Sequence, residues 1–208
     1  VGVLLKKFDA ISVRDANSGA IVEQLTEKKP VYNLDPVLTY DYMNCCDKIP
    51  QLRVDEKYLI LHAYAGRISN EEADWIAAYA KKKNLKVYAI GGIQKCADRF
   101  VDCSPFEVLA YFRNAEEVIT DTFHGSIFSV ITHRPFTTLI RKSVGNSYGN
   151  EEKLSDLLER LDLADRMTAK VEDAENINEE TIDYAKVDEL LKAHREVAKE
   201  YLRSNLEG

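Results

Sequence analysis

The sequence has few cysteines, no long apolar run and no excess of positive charge. Its four cysteines, Cys45, Cys46, Cys96 and Cys103, are irregularly spaced and contain no Cys-x-x-Cys pair. This argues against a disulfide framework and against a zinc site, and predicts reduced thiols. No apolar stretch approaches the roughly 20 residues that span a bilayer. The net charge of −7 argues against general nucleic-acid binding, which needs a basic surface. We therefore predict a cytoplasmic protein with no transmembrane segment and no metal site.

Strand-like and helix-like segments alternate over the first two thirds of the chain. The 208 residues are 45% hydrophobic, enough for a packed core. Residues 58–64 form a continuous apolar run, which is typical of a strand covered on both faces. Capping boxes at residues 69–72 and 104–107 predict two helix starts. The alternation predicts an α/β fold in which residues 8–141 form one open, doubly wound parallel sheet of about six strands.

The last third of the chain is different in character. We predict an amphipathic helix at residues 151–166 and a long, charge-rich helix at residues 179–204. We therefore divide the chain into a Rossmann-like domain, residues 1–145, and a helical extension, residues 146–208. The extension is expected to pack on this domain or on a missing one. Because the sequence begins without Met, we expect a fragment of a longer protein.

One segment combines a buried strand, a tight turn and a helix start. The strand runs from Val118 to Thr122 and turns directly into a helix that begins near His124. The first N–H groups of a helix have no intrahelical acceptor, and the helix dipole is positive there, so anionic ligands are favoured. His124 adds an imidazole, the side chain that proteins use most often as a general acid or base. Together with Gly125 and Ser126 it predicts a site for a phosphorylated or carboxylated small molecule. The alternative is that His124 caps the helix or packs in a loop.

Other candidates lie where predicted strands end, because ligands of open parallel sheets bind beyond those ends. They are Arg14, Asp35, Gly91, Gly92, Thr122 and Arg141. Structural roles remain open for several of them. Arg14 can simply pair with Asp15 or Asp35, and Asp35 can end a strand in a turn. Gly91 and Gly92 favour a tight turn over a phosphate cradle, since no Gly-x-Gly-x-x-Gly pattern is present. His62 is expected to be a packing or surface residue.

Three motifs, in order, resemble those of the polysaccharide pyruvyl transferase family. They are Ile-Ser-Val-Arg-Asp at residues 11–15, Leu-Asp-Pro at 34–36 and Ile-Thr-Asp-Thr-Phe-His-Gly at 119–125. The resemblance covers about residues 8–141 and implies a GT-B-type enzyme, of which this chain is the C-terminal Rossmann-like half. It also implies transfer of pyruvate, as a cyclic ketal, from phosphoenolpyruvate to a sugar of a cell-surface polysaccharide or its precursor. The resemblance implies no cofactor. It is compatible with a peripheral association of the protein with the inner membrane face.

The resemblance assigns roles to two residues. Arg14 matches an arginine that pairs with anionic groups of the donor, and His124 matches a histidine placed for acid–base work. Arginine suits the phosphate and carboxylate of phosphoenolpyruvate, and histidine suits the proton transfers of ketal formation. One position departs from the pattern: some members have an arginine where this chain has Thr122. Candidates to supply the missing cation are Lys95, Arg99 and Arg141; otherwise the donor differs.

Two other functions remain open. A GT-B glycosyltransferase half would bind a sugar nucleotide, with an affinity that depends on the base. A non-catalytic interaction domain would keep the fold after losing the donor site, and Thr122 is the residue that keeps this alternative open. If the chain is half of an enzyme, we expect it to fold without catalysing, and its exposed cleft face to drive self-association. We also expect Arg14 and His124 to meet at the carboxyl edge of the sheet.

Overall fold

The computed structural model describes residues 1–142 and 150–206. The helices are α1 (Gly2–Leu5), α2 (Ala16–Thr26), α3 (Pro36–Thr39), α4 (Tyr42–Cys45), α5 (Asn70–Lys82), α6 (Pro105–Asn114), α7 (Phe123–Ile131), α8 (Glu151–Arg160), α9 (Ala174–Glu179) and α10 (Tyr184–Leu206). The strands are β1 (Ser12–Val13), β2 (Val31–Tyr32), β3 (Tyr58–His62), β4 (Lys86–Ile90), β5 (Arg99–Phe100), β6 (Glu117–Thr120), β7 (Phe136–Leu139) and β8 (Met167–Thr168). Within these described ranges, no helix is both long and apolar enough to cross a membrane.

The chain divides into two compact units. Unit 1 contains Val1–Tyr40, Glu152–Asp162 and the residues from Asp183 onward. Unit 2 contains Asp41–Glu151 and Leu163–Ile182. The boundary predicted near residue 145 lies outside the described residues, so the division at that point stays a prediction.

Unit 2 is built on a six-stranded sheet with the order β5-β4-β3-β6-β7-β8. All five neighbouring pairs are parallel. This confirms the predicted α/β class with a parallel sheet; the number of strands equals the predicted six, but the members differ. From β3 the chain moves outward through β4 and β5, and it then returns to β6 and moves outward the other way through β7 and β8. The strand order therefore reverses between β3 and β6.

Helices cover both faces of this sheet, as a doubly wound arrangement requires. Successive side chains of a strand point to opposite faces. Leu59 and Leu61 of β3 share a core cluster with Ile76 of α5. On the other face, the ring of His62 makes edge contacts with Phe112 of α6 and Phe128 of α7. Burial on both faces explains why β3 reads as a continuous apolar run.

The predicted membership of the sheet was wrong for four strands. β1 and β2, expected as its first strands, form a separate two-stranded parallel sheet in unit 1. β5 and β8, which no pattern predicted, join the main sheet beside β4 and β7. All four strands are two residues long, which is too short for an alternating pattern to show which sheet they join.

Helix boundaries follow local chemistry. Both predicted capping boxes are present: the N–H of Glu72 donates to Ser69 Oγ and that of Glu107 to Ser104 Oγ, with the reciprocal bonds made as well. The helix predicted at 151–166 ends earlier, at Arg160, because Asp162 takes a positive φ of 57°. The long C-terminal helix runs over Tyr184–Leu206 rather than 179–204.

Candidate functional site

The carboxyl ends of β3 and β6 mark the reversal of strand order in unit 2. His62 is the last residue of β3, and Thr120 is the last residue of β6. Asp121 and Thr122 then lead directly into α7. Ligands of open α/β sheets bind at such a reversal. The position of the segment containing His124 in the fold is therefore the one at which a ligand is expected.

Thr122 begins α7 as its N-cap residue. Its Oγ1 accepts the N–H of Gly125 at 2.9 Å, so the alternative in which His124 caps the helix is wrong. The hydroxyl of Ser126 donates to Thr122 O at 3.3 Å and lies 2.9 Å from Thr138 Oγ1. Gly125 and Ser126 are thus buried and engaged inside the protein, and their role in binding substrate stays a prediction. The departure from the family pattern at Thr122 has a structural use, since threonine supplies this cap.

His124 is the exposed polar side chain of this turn. It lies one residue inside the start of α7 and is exposed to solvent. Its ring centroid is 5.7 Å from that of Phe123 and 6.0 Å from that of Phe128. The two phenylalanines limit where the imidazole can turn without covering it. An imidazole held in this way can exchange a proton with a bound molecule.

A hydrogen-bonded group of His62, Thr120 and Thr122 ties the two strand ends together. Nδ1 of His62 lies 2.6 Å from Thr122 Oγ1, and Thr120 Oγ1 donates to the carbonyl of His62 at 2.7 Å. Burial lowers the pKa of His62 to about 4, and the nearby charge of His124 contributes. His62 is therefore neutral at pH 7. The sequence predicted packing for His62, and the aromatic contacts agree, but its part in positioning the cap of α7 had no sequence signal.

Charged residues cluster at the same edge of the sheet. Burial raises the pKa of the Asp121 carboxyl to about 6, although the charges of Arg67 and Arg141 act to lower it. Arg141 Nη1 donates to Glu72 Oε1 at 2.7 Å. The sequence predicted Arg141 as a site residue and placed Arg67 among the residues that follow a strand end. It did not indicate Glu72 or Asp121 as site residues. Asp121 stands inside the motif that resembles the family, and that was the available signal.

The two glycines after β4 make a tight turn. Gly91 has a φ of +87°, which favours glycine. A Cβ on Gly92 would lie 2.3 Å from the backbone nitrogen of Ala65, so the loop after β3 approaches too closely for any side chain. Gln94 Nε2 donates to Ala63 O at 3.0 Å and holds the same loop. These contacts favour the packing interpretation, and binding of substrate by Gly91 and Gly92 stays a prediction.

In unit 1, Arg14 follows β1 and pairs with Asp35. Arg14 Nη1 lies 2.6 Å from Asp35 Oδ2, and Asp35 also accepts the N–H of Val37 at the start of α3. Both residues therefore have the structural roles that were considered as alternatives: Arg14 pairs with an acidic residue, and Asp35 lies in the turn that follows β2. About 40% of the Arg14 side chain remains exposed. Because β1 is not a strand of the six-stranded sheet, the argument that brought Arg14 and His124 to one sheet edge was wrong. Their meeting stays a prediction.

The three candidates for the missing cation are placed differently within unit 2. Lys95 pairs with Asp74 at 3.1 Å on the surface. Arg99 lies on the outermost strand β5, with its guanidinium over the Tyr88 ring. Arg141 follows β7 and interacts with the buried carboxyl of Asp121. The geometry therefore favours Arg141 over the other two.

Gly125→Ala is expected to destabilise unit 2 by about 1–3 kcal/mol. A Cβ there would lie 2.1 Å from Thr120 Oγ1 and 2.8 Å from Thr122 Oγ1, inside the hydrogen-bonded cap. Gly19→Ala is the matched control in a helix, because the atoms nearest to its Cβ would belong to the outer end of the exposed Tyr32 side chain, which can move. Chemical denaturation measures both. Equal stability of the two variants would show that the cap of α7 does not require glycine.

The comparisons with known proteins concern the fold and the family. The profile described as polysaccharide pyruvyl transferase matches residues 1–143. Among solved structures, a Thermobaculum terrenum O-GlcNAc transferase mutant is similar at 14% identity and a TM-score of 0.46, over 85% of this chain and 38% of that one. An E. coli heptosyltransferase is similar at 15% identity and a TM-score of 0.36, over 71% and 54%. A Streptomyces nogalater glycosyltransferase is similar at 8% identity and a TM-score of 0.39, over 90% and 60%.

The chain therefore spans between 38% and 60% of the length of these three proteins. No curated protein sequence matches it significantly. The profile match extends over more than half of the 208 residues and includes all three sequence motifs. The chain belongs to the polysaccharide pyruvyl transferase family.

Proposed function

We propose that this chain is the half of a pyruvyl transferase that carries His124, and that the complete enzyme transfers pyruvate from phosphoenolpyruvate to a sugar as a cyclic ketal. One observation carries the proposal. In a member of this family, an exposed histidine lies in the first turn of the helix at the reversal of strand order. No other histidine of the described residues has both the exposure and this position.

The reaction requires three proton movements. The methylene carbon of phosphoenolpyruvate gains a proton, and the neighbouring carbon becomes electrophilic. One sugar hydroxyl adds to that carbon and loses its proton. The phosphate then leaves, and a second hydroxyl adds and loses its proton to close the ring. The products are the ketal and inorganic phosphate. His124 is proposed to exchange a proton with the substrate, as donor or as acceptor.

His62 is not assigned a proton-donating role in this scheme. With a pKa of about 4 it is a neutral imidazole at neutral pH and lacks the second ring proton that a general acid would give up. Its ring contacts Phe112 and Phe128, and its Nδ1 is engaged by Thr122. It is therefore a positioning residue that acts through the cap of α7.

Arg14→Ala in the complete enzyme is expected to raise KM for the donor more than it lowers kcat. The reason is that a guanidinium contacting the ground-state anion contributes to binding of substrate and transition state alike. Asp35 loses its ion-pair partner in this variant, so Arg14→Lys is the matched control that keeps the charge. Steady-state kinetics separates the two constants. A loss confined to kcat would contradict the ground-state role.

Donor choice tests the proposed function. The full-length gene product is offered phosphoenolpyruvate or a set of sugar nucleotides, together with lipid-linked or diphosphate-linked sugars. Release of phosphate together with a ketal signal on the acceptor supports pyruvyl transfer. Transfer that depends on the nucleotide base supports the glycosyltransferase alternative instead. If neither reaction occurs with any of the acceptors, the result supports the non-catalytic alternative that Thr122 keeps open.

The location and assembly of the protein remain part of this proposal. We propose that it works in the cytoplasm, with peripheral association at the inner membrane face, where lipid-linked acceptors are available. We also propose that this chain alone is inactive and self-associates through the face that a partner half would cover. Sedimentation of the chain as a strict monomer at high concentration would contradict self-association.

A further inference from the structure

A cavity lies at the carboxyl ends of β7 and β8, and none of its residues takes part in the proton transfers proposed for His124. Its volume is about 470 Å³, and it is lined by Arg67, Ile140, Arg141, Lys142 and Ala169. Three of these five side chains are cationic, and none of the five is acidic. We infer that this cavity is an anion site that binds the phosphate group of a monoester or a diphosphate.

Arg141 is the residue on which the inference depends most. Its Nη1 donates to Glu72 Oε1 at 2.7 Å, in an ion pair whose side chains are 22% and 17% exposed. Glu72 is itself held, because its Oε2 accepts the N–H of Ser69 in the capping box of α5. The guanidinium is therefore fixed from one end. Its Nε and Nη2 are buried and have no hydrogen-bond partner among the described residues.

These two nitrogens form one edge of the guanidinium. That edge can donate two parallel N–H bonds to two oxygens of a single phosphate or carboxylate. Buried donors that lack an acceptor cost free energy, and an anion in the cavity would remove this cost by accepting their hydrogen bonds. Because Glu72 orients the group in advance, binding an anion requires little rearrangement of Arg141.

The other two cations fit a doubly charged group. The Arg67 guanidinium lies 4.5 Å from the centre of the Tyr64 ring, which restrains it. Lys142 is 74% exposed and lies 3.8 Å from Glu151, a distance at which an exposed pair contributes little. Its ammonium is therefore able to turn toward a ligand. Three cations around one cavity match a phosphate dianion better than a single carboxylate.

Asp121 explains how the arginines are tolerated without a ligand. Its carboxyl is fully buried, and its charge interacts with those of Arg67 and Arg141. Both of its oxygens lack a hydrogen-bond partner among the described residues. Asp121 thus offsets part of the positive charge at a distance without occupying the free edge of Arg141.

Which natural ligand carries the phosphate rests on the proposed function, whereas the inference that the cavity binds phosphate does not. In that function, a phosphate group occurs on phosphoenolpyruvate and on a diphosphate carrier of the acceptor sugar. Titrations of this chain with inorganic phosphate, pyrophosphate and phosphoenolpyruvate separate the two sources. Tighter binding of phosphoenolpyruvate than of pyrophosphate assigns the site to the donor. The reverse order assigns it to the carrier, and either order supports the phosphate site.

Three variants test the site by isothermal titration. Arg141→Lys keeps the positive charge opposite Glu72 but removes the two-nitrogen edge. It is expected to weaken the binding of inorganic phosphate about tenfold. Lys142→Gln is expected to weaken the binding of inorganic phosphate about threefold, and more at low salt. Lys57→Gln is the matched control: this lysine is 69% exposed, pairs with Glu116 and does not line the cavity. It is expected to leave binding unchanged. Two-dimensional amide spectra verify that each variant is folded.

Several outcomes overturn the inference. They are the absence of saturable phosphate binding, equal weakening by Lys57→Gln and Arg141→Lys, and binding of acetate as tight as that of phosphate. The last result would define a carboxylate site instead. The proposed function fails separately. Phosphate binding to this chain without transfer by the full-length product contradicts only the function, and transfer with no effect of Arg141→Lys contradicts only the site.

Discussion

His124→Ala in the complete enzyme is expected to lower kcat by about 10²–10⁴-fold, with a much smaller change in KM. The expected size is that of a general acid or base removed from its substrate. KM is expected to change little because the imidazole acts mainly in the transition state. The exposed position of His124 in the first turn of α7 also means that the substitution leaves the core of unit 2 intact. Steady-state kinetics with the donor varied measures both constants.

The matched control is His133→Asn. His133 is exposed just beyond the other end of α7, and it has a φ of 54°, a conformation that asparagine tolerates. The kcat of His133→Asn should equal that of the wild type. His124→Gln is a second variant, which keeps a hydrogen-bonding group but cannot carry the proton, and it should be as slow as His124→Ala. Unchanged turnover of either His124 variant would end the proposed role.

Asp121→Asn is expected to stabilise the protein relative to the wild type at pH 7, and not at pH 4. Burial raises the pKa of this carboxyl from 3.8 to about 6, so the folded state binds more protons than the unfolded state between these values. The contribution of Asp121 to the free energy of unfolding is therefore full below pH 3.8 and is lost as the pH rises to about 6. The loss is of the order of 3 kcal/mol, from about 1.4 kcal/mol per pH unit.

Denaturant unfolding at several pH values measures this difference. Asn resembles the protonated acid, so the gap between Asp121→Asn and the wild type should open between pH 4 and 6. His62 acts in the opposite sense in the wild type. Its pKa is lowered from 6.5 to about 4, so its contribution is lost as the pH falls through that range. Asp74→Asn, at an exposed carboxylate, is the control and should follow the wild-type curve. A constant gap for Asp121→Asn would contradict the effect of burial.

Local sequence signals predicted the elements of unit 2 well. The apolar run of β3, the two capping boxes and the turn from β6 into α7 depend on neighbouring residues, and all are present. Such signals carry no information on which strands pair. β1 and β2 were therefore assigned to the wrong sheet, and β5 and β8 were not predicted at all. Two-residue strands gain their pairing from the units around them rather than from a pattern of their own.

The candidate site was predicted in part for the same reason. His124 and Arg141 could be identified because they follow predicted strands. The hydrogen bond between His62 and Thr122 joins residues that are 60 positions apart, and the ion pair of Glu72 and Arg141 joins residues that are 69 apart. No local pattern predicts contacts at such separations. Thr122 illustrates the consequence: in the sequence it is a missing arginine, and in the structure it is the cap that positions His124.

The most direct test of the central claim is a crystal structure of the full-length gene product with phosphoenolpyruvate bound. The claim is that the donor reacts where strand order reverses between β3 and β6. We predict the methylene carbon of the donor beside the His124 imidazole, close enough for proton transfer, in the wild type. A donor bound elsewhere, with its methylene carbon out of reach of His124, would contradict the account.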